Sequence, residues 1–312
     1  MGGDRDGLAV VGIEQDPVGE LLDAVREAVE LAVERVLDAG REAELGDLLR
    51  RVAMSGISRV LEHRLVQYRR TFRSSVFTSF LSPLLFLTAM GLGLGGYVDR
   101  SGTAALGGLT YLQFLAPGLL AATVMQSAAF EATFPIIGGL NWQRTFHAMY
   151  ATPLSPFDIA LGNLAWMAIR LTMIAAVFTA VIVLFGAAHS PLVILGIPVA
   201  VLTGMAFAAP ISAFSATQRT PNQFNVIFRF GITPLFLFSG TFFPIETLPS
   251  FLQPVAWLSP LWHGVDLTRG LVLGTFADRP VQMLIHVVVL SVIVAVSSWA
   301  TVRTVERRLV RG

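Results

Sequence analysis

The chain of 312 residues contains no cysteine, and none of its 22 basic residues is a lysine. The first absence excludes disulfides, thiolate nucleophiles and Cys-ligated metals. The second removes the residue with which a GxxxxGK[ST] loop holds phosphate. No such loop occurs, so the chain does not bind ATP by that route. There is no HExxH motif, and the five histidines are scattered without ligand spacing. Charge itself is scarce, at 14% of residues, where a soluble domain carries about 25%. Between Arg170 and Arg219 no Asp, Glu or Arg occurs at all. That run can cross a bilayer twice with a turn between, because a membrane helix needs about 20 apolar residues.

What is present agrees with a membrane protein. Mean hydropathy is +0.67, and glycine is plentiful, as in membrane helices. Basic residues drawn from Arg alone point to GC-rich coding DNA and a bacterial source. The charge is divided along the chain. Residues 1–50 hold 13 acidic groups and 5 Arg, a net of −8; the remainder holds 8 acidic groups and 17 Arg, a net of +9. The first 50 residues lack the apolar core of a cleavable signal peptide, so insertion is expected to rely on the first membrane helix.

Residues 18–53 read as an amphipathic acidic helix, with Leu22, Val25, Val29, Val33 and Val36 at helical spacing. It is either a solvated extension or a docking surface. Residues 1–54 form this cytoplasmic extension, and 55–312 the membrane domain. Residues 56–74 interleave Arg59, Arg64, Arg69, Arg70 and Arg73 with Val60, Leu65, Tyr68 and Phe72. They read as an interfacial helix on an anionic leaflet and not as a nucleic-acid patch, since an apolar run follows at once.

Six spans are expected in this all-α polytopic fold: Val76–Tyr97, Tyr111–Glu131, Ile159–Phe185, Leu192–Phe214, Val226–Phe243 and Val281–Ala300. The glycines of Gly91–Gly96 read as a packing or bending device at the outer end of the first span. Between spans five and six, Pro244, Pro249, Pro254 and Pro260 break the chain into pieces too short to cross, a pattern of re-entrant or interfacial half-helices. With six spans, eleven arginines fall on the side of both termini and three (Arg100, Arg269, Arg279) on the other. The positive-inside rule then makes both termini cytoplasmic.

No catalytic constellation emerges. Glu131, Asp158, Asp266 and Asp278 lie near span ends or in loops, and no catalytic or metal residue is expected. A coupled carrier would want several ionisable groups within its spans; only Arg170 lies well inside one. Asn163 and Trp166 share its helical face. Arg170 is read either as snorkelling to headgroups or as a polar contact holding the bundle. The scarcity of coupling groups suggests that energy enters through another polypeptide.

A cytoplasmic loop ending in ATPLSPFD (Ala151–Asp158) and the stretch LFLFSGTFFPIETLPSFLQPVAWLSPLWHGVDLTRGLVLG (Leu235–Gly274) carry a family pattern. Over about residues 56–306 the chain resembles the ABC-2 type transporter permeases, with the daunorubicin-resistance and nodulation-type lipo-oligosaccharide exporters as the nearest-looking branch. The resemblance implies half-helices on the outer side, here within 245–276. It implies a separate nucleotide-binding ATPase subunit in two copies, where ATP and magnesium would be held, and a second permease copy or sister permease. It also implies a cytoplasmic coupling helix, here within 134–154. The acidic–basic cluster common there in the family is replaced by GGLNWQRT, with Arg144 its one charge.

Trp142, Arg144, Phe146, Met149 and Tyr150 are the candidate ATPase contacts. Trp142 and Phe146, four apart, are expected to share a face. The same helix could instead lie on the lipid surface. Candidate route residues are Phe77, Phe80, Gln113, Gln126, Phe228 and Phe236, an apolar lining suited to an amphiphilic drug, lipid or lipid-linked glycan. Glu246, Asp266 and Arg269 in the outer segment either gate exit or shield half-helix ends. The reading that follows is a non-catalytic permease of an ATP-driven exporter in the bacterial inner membrane. The alternative is a structural or assembly membrane protein.

Overall fold

The computed structural model describes residues 56–69, 81, 84–100, 106 and 108–311. The acidic segment 18–53 and most of the first half of span one, with Phe77 and Phe80, lie outside the described residues. Among the described residues every regular element is helical. We label α1 (Gly56–Arg69), α2 (Tyr111–Glu131), α3 (Pro156–Leu184), α4 (Gly196–Thr217), α5 (Phe224–Val226, Ile227–Ile232 and Thr233–Phe238 in succession), α6 (Pro260–Leu273) and α7 (Pro280–Arg311).

Local chemistry fixes where these helices begin. Thr110 and Gln113 form a capping box at α2, and Ser155 and Asp158 form another at α3, where Pro156 takes the first helical position. Ser259 caps α6 by accepting from the Leu261 amide, followed by Pro260. Each device satisfies amide groups that a helix start leaves bare, which matters most where water is scarce.

Among the described residues four helices are long and apolar enough to cross a membrane: Tyr111–Trp142, Pro156–Leu184, Pro191–Thr217 and Pro280–Arg311. They coincide with expected spans two, three, four and six, but two run further. The span-two helix continues past Glu131, through a turn at Ala132–Thr133, to Trp142. The last helix continues eleven residues beyond Ala300, because Arg303, Glu306, Arg307 and Arg308 are good helix formers and Val305 and Leu309 are buried beneath them. Expected span five is shorter than its apolar run. It starts at Phe224, holds a π-helical stretch at Ile227–Ile232, and ends at Phe238, where Ser239 caps it and Gly240 turns left-handed at φ 81°. Span one is described from Leu84, with a π-helical stretch Thr88–Leu94 running into Gly95–Arg100.

Helix α4 is central and packs against α2, α3, α6 and α7. In lipid no hydrophobic drive pulls helices together, so close packing and small residues do that work. Gly204 is the clearest instance. A Cβ there would come within 2.8 Å of Val124 Cγ1 and 2.9 Å of Leu171 Cδ1, so α2 and α3 both press on the α4 backbone. Pro210 interrupts the α4 ladder, and the Thr301 hydroxyl of α7 donates to the adjacent Ala209 carbonyl at 2.8 Å.

The expected broken segment is broken in the structure. A 3₁₀ turn (Ile245–Thr247) and a short helix (Gln253–Leu258) lead through Ser259 into α6. Helix α6 lies where α2 and α4 begin, with Gly196 against Thr268 and the His189 amide donating to the Val272 carbonyl at 2.9 Å. Arg64, Arg219 and Arg308 gather at one end of the bundle; Arg269 and Arg279 belong to the other.

Candidate functional site at the arginine-rich end

Two matching stripes join α1 to α3. Val60, Arg64 and Tyr68 recur every four residues on α1; Gly162–Asn163, Trp166 and Arg170 face them from α3. Contact begins at Gly162, where a Cβ would lie 2.7 Å from Val60 Cβ. Arg64 Nη2 donates to Asn163 Oδ1 at 2.7 Å. The Tyr68 ring meets Trp166 edge-on at 5.4 Å, and the Arg170 guanidinium lies 5.0 Å from the Tyr68 centroid. Arg170 Nη1 then donates to Glu131 Oε1 at the end of α2. The intramembrane polar pair Asn163 and Arg170 is thus one network with Arg64 and Glu131. Burial pulls the Arg64 guanidinium below its usual range, and the Glu131 carboxylate opposes that shift.

The segment expected to couple to an ATPase folds differently from the single helix read for it. Trp142 ends a π-helical stretch Gly138–Trp142, and Phe146 sits in a separate short helix, Thr145–Tyr150. Between them Arg144 adopts a left-handed backbone at φ 52°. The expectation of a shared face for Trp142 and Phe146 is therefore corrected, because one continuous helix does not connect them. Phe146 is 1% exposed and lies under the Arg64 guanidinium at 5.7 Å, while Met149 is also buried. Trp142, Gln143, Arg144 and Tyr150 point outward, with Trp142 60% exposed.

Asn141 braces this turn. Its side-chain amide donates to the Arg219 carbonyl at 3.0 Å, and its Oδ1 accepts from Arg308 Nη2 at 3.1 Å. One side chain thereby joins the Gly138–Trp142 stretch, the loop after α4 and the tail of α7. Beside it, a groove of about 310 Å³ opens between α1 and the short helix, bordered by Arg59, His63, Thr145 and Thr152.

The opposite end is also built from polar groups. His286 Nε2 lies 3.1 Å from Asp266 Oδ2, and His286 Nδ1 lies 2.6 Å from His263 Nδ1. Trp262 packs against both imidazoles at 4.9 Å, and Arg279 reaches Asp266 at 3.5 Å. Burial would raise the Asp266 carboxyl, but the His286 hydrogen bond and Arg279 hold it below the usual carboxylate range. Burial and the neighbouring His286 push His263 down to about 4. Arg269 donates to the Gly240 carbonyl at 2.9 Å and the Phe114 carbonyl at 3.3 Å, over the Phe114 ring at 3.9 Å. Its burial lowers it to about 10. Glu246 is exposed. Among the described residues no group of His, Asp and Glu could hold a metal ion.

Of the candidate route residues, Gln113, Gln126, Phe228 and Phe236 lie among the described residues. Gln113 is engaged at the start of α2, in its capping box and 3.2 Å from His189 Nε2. Gln126 is exposed on α2. Phe228 lies half-buried in the π-helical stretch of α5. Phe236 packs edge-on to Phe242 at 5.1 Å, and Phe242 meets Phe86 at 5.9 Å, tying α5 to the end of span one.

Residues 57–273 match the family model of the ABC-2 type transporter. The chain belongs to that family. It is 30% identical over 245 residues to Nodulation protein J of Rhizobium leguminosarum bv. viciae, covering 78% of this chain and 91% of that protein. Against Nodulation protein J of R. leguminosarum bv. trifolii it is 31% identical over 246 residues, covering 79% and 91%. The inner membrane transport permease YadH of Escherichia coli is 23% identical over 196 residues, 63% of this chain and 76% of that protein. The chain is thus a membrane protein of the permease kind, built on apolar helices. The family match ends in α6, and α7 lies beyond it.

Proposed function

We propose that this chain is the permease subunit of an ATP-driven exporter in a bacterial inner membrane, with both termini cytoplasmic. It moves an amphiphilic substrate, a drug, lipid or lipid-linked glycan, and does no bond chemistry itself. Two copies of a separate ATPase subunit, which hold ATP and magnesium, dock at the arginine-rich end. A second permease copy or a sister permease completes the membrane core.

The exposed turn at Trp142–Arg144, braced through Asn141, carries this reading. A motion delivered to Trp142, Arg144 and Tyr150 from outside reaches three elements at once: the end of the span-two helix, the Arg219 loop and α7. An exposed Trp beside an Arg is the composition of a contact hot spot. Phe146 and Met149 support the turn from within. The apolar faces of the spans suit an amphiphile and are hostile to a highly charged solute. Branch resemblance to nodulation-type exporters favours a lipid-linked glycan among the substrates.

The test is co-purification with P-loop ATPases expressed from the same genome, followed by ATPase assays across lipids and drugs. Association and stimulated hydrolysis are expected. Failure of any ATPase to associate sinks the reading and favours an assembly protein. Trp142→Ala with Arg144→Glu should abolish the stimulation with insertion intact; unchanged coupling would move the contact elsewhere.

A further inference from the structure

At the arginine-rich end, the first turns of α3 and the last turns of α7 flank a groove of about 490 Å³ that the proposed function does not use. Its walls are apolar: Phe157 and Leu161 from α3, Trp299 and Val302 from α7. Its mouth carries Arg303 and Glu306, 3.7 Å apart and about half exposed. The Arg303 guanidinium leans over the Trp299 ring at 5.5 Å.

Three observations say what covers it. The outward face of α7 is an unbroken apolar stripe, with Leu284, Val288, Val292, Val296 and Trp299 all exposed. That is the pattern of a helix face meant for acyl chains, and the groove lies at its end. The stripe stops at a Trp followed by an Arg, the sequence of an interfacial anchor. Finally, the mouth offers one cation and one anion. The α3 N-terminus adds no free anion site, because Asp158 already accepts from the Ser155 amide and hydroxyl.

We propose that this groove binds a phospholipid with a zwitterionic aminoalkyl headgroup: its phosphate on Arg303, its primary ammonium on Glu306, and its chains along Phe157, Leu161, Trp299 and the α7 stripe. A purely anionic headgroup would set its phosphate against Arg303 and leave Glu306 opposed to negative charge. A primary ammonium satisfies both groups with charge-assisted hydrogen bonds. The site needs only that the chain be embedded in a bilayer, so it stands or falls apart from any ATPase partner.

The experiment uses the full-length protein in detergent micelles with equal amounts of phosphatidylethanolamine and phosphatidylglycerol, and native mass spectrometry reads which lipid stays bound. The expected result is retention of phosphatidylethanolamine over phosphatidylglycerol on the order of threefold, the size of a half-exposed ionic contact. Glu306→Gln should bring the ratio near one, and Arg303→Gln should lower retention of both lipids. Equal retention by the unaltered protein overturns the proposal, as does a preference that survives Glu306→Gln. Because the chain has no cysteine, Trp299→Cys provides a second reading. Efficient disulfide dimerisation through that position would assign the groove to a second copy of the chain and overturn the proposal; a monomer labelled by a lipid-borne maleimide supports it.

Discussion

The Arg170 guanidinium of α3 and the Glu131 carboxylate at the end of α2 form an ion pair at 19% and 12% exposure, 39 positions apart in the chain. An arginine read from sequence alone either as snorkelling to headgroups or as a polar contact holding the bundle thus links two membrane helices, and through Tyr68 it also links them to α1. Removing one partner leaves the other charge largely buried. Arg170→Leu should therefore cost about 2–3 kcal/mol, toward the low end for a buried pair because both groups keep some access to water. The double variant Arg170→Leu with Glu131→Leu should cost less than Arg170→Leu alone. Unfolding in detergent across the double-mutant cycle measures the coupling. Strictly additive losses would mean that the pair does not hold the helices.

The contact of α1 with α3 rests on a missing side chain. A Cβ at position 162 would stand 2.7 Å from Val60 Cβ, closer than real carbons approach. Gly162→Ala should push α1 outward and destabilise the domain by about 1–3 kcal/mol. Trypsin is a direct probe, because Arg59, Arg64 and Arg69 all lie on α1. Cleavage there should quicken in the variant, and a cleavage rate equal to that of the unaltered chain would place the α1 anchor elsewhere.

How far the sequence speaks follows from the range of each interaction. Helices α3 and α4 were legible because a 48-residue run without charge has no other home than lipid. The broken segment before α6 was legible because four prolines announce it. The helical tail of α7 was not, since interleaved Arg and Glu look like a solvated end until Val305 and Leu309 are seen buried. The coupling turn was misread because spacing assumes one continuous helix, and a left-handed Arg144 breaks that assumption. Asn141 carries no periodic signal at all; its partners are 77 to 167 positions away. His286 stands 20 positions from Asp266 and 23 from His263, which hides that cluster from any motif as well.

Those three residues predict an acid-sensitive junction between α6 and α7. His263 protonates at about 4 in the folded protein against 6.5 when exposed. Between those values the unfolded chain binds a proton that the folded chain does not. Stability is therefore complete above pH 6.5 and falls as pH drops toward 4, by at most about 3 kcal/mol. The depressed Asp266 adds its own loss only as pH falls below the ordinary carboxylate value of 3.8. Thermal unfolding at pH 7 and pH 5 should show a lower midpoint in acid. His263→Gln should flatten that dependence, and an undiminished slope in this variant would place the titrating group elsewhere.

Arg269 supports the last prediction. It joins the Phe114 carbonyl of α2 to the Gly240 carbonyl just past α5, so one guanidinium closes α6 onto two other helices. Both acceptors are main-chain oxygens and both bond to the one nitrogen Nη2, while the planar guanidinium stacks on Phe114, a contact that lysine does not reproduce. Arg269→Ala would leave the carbonyls without that donor and should cost about 2–4 kcal/mol. Arg269→Lys keeps the charge near Asp266 and a nitrogen with several donors but loses the planar stack on Phe114, so its loss should be intermediate. Hydrogen exchange over 239–243 should rise in the order Arg, Lys, Ala. Lysine matching arginine in both stability and exchange would show that a point charge suffices there, and that the stacked guanidinium does not hold α5 and α6 together.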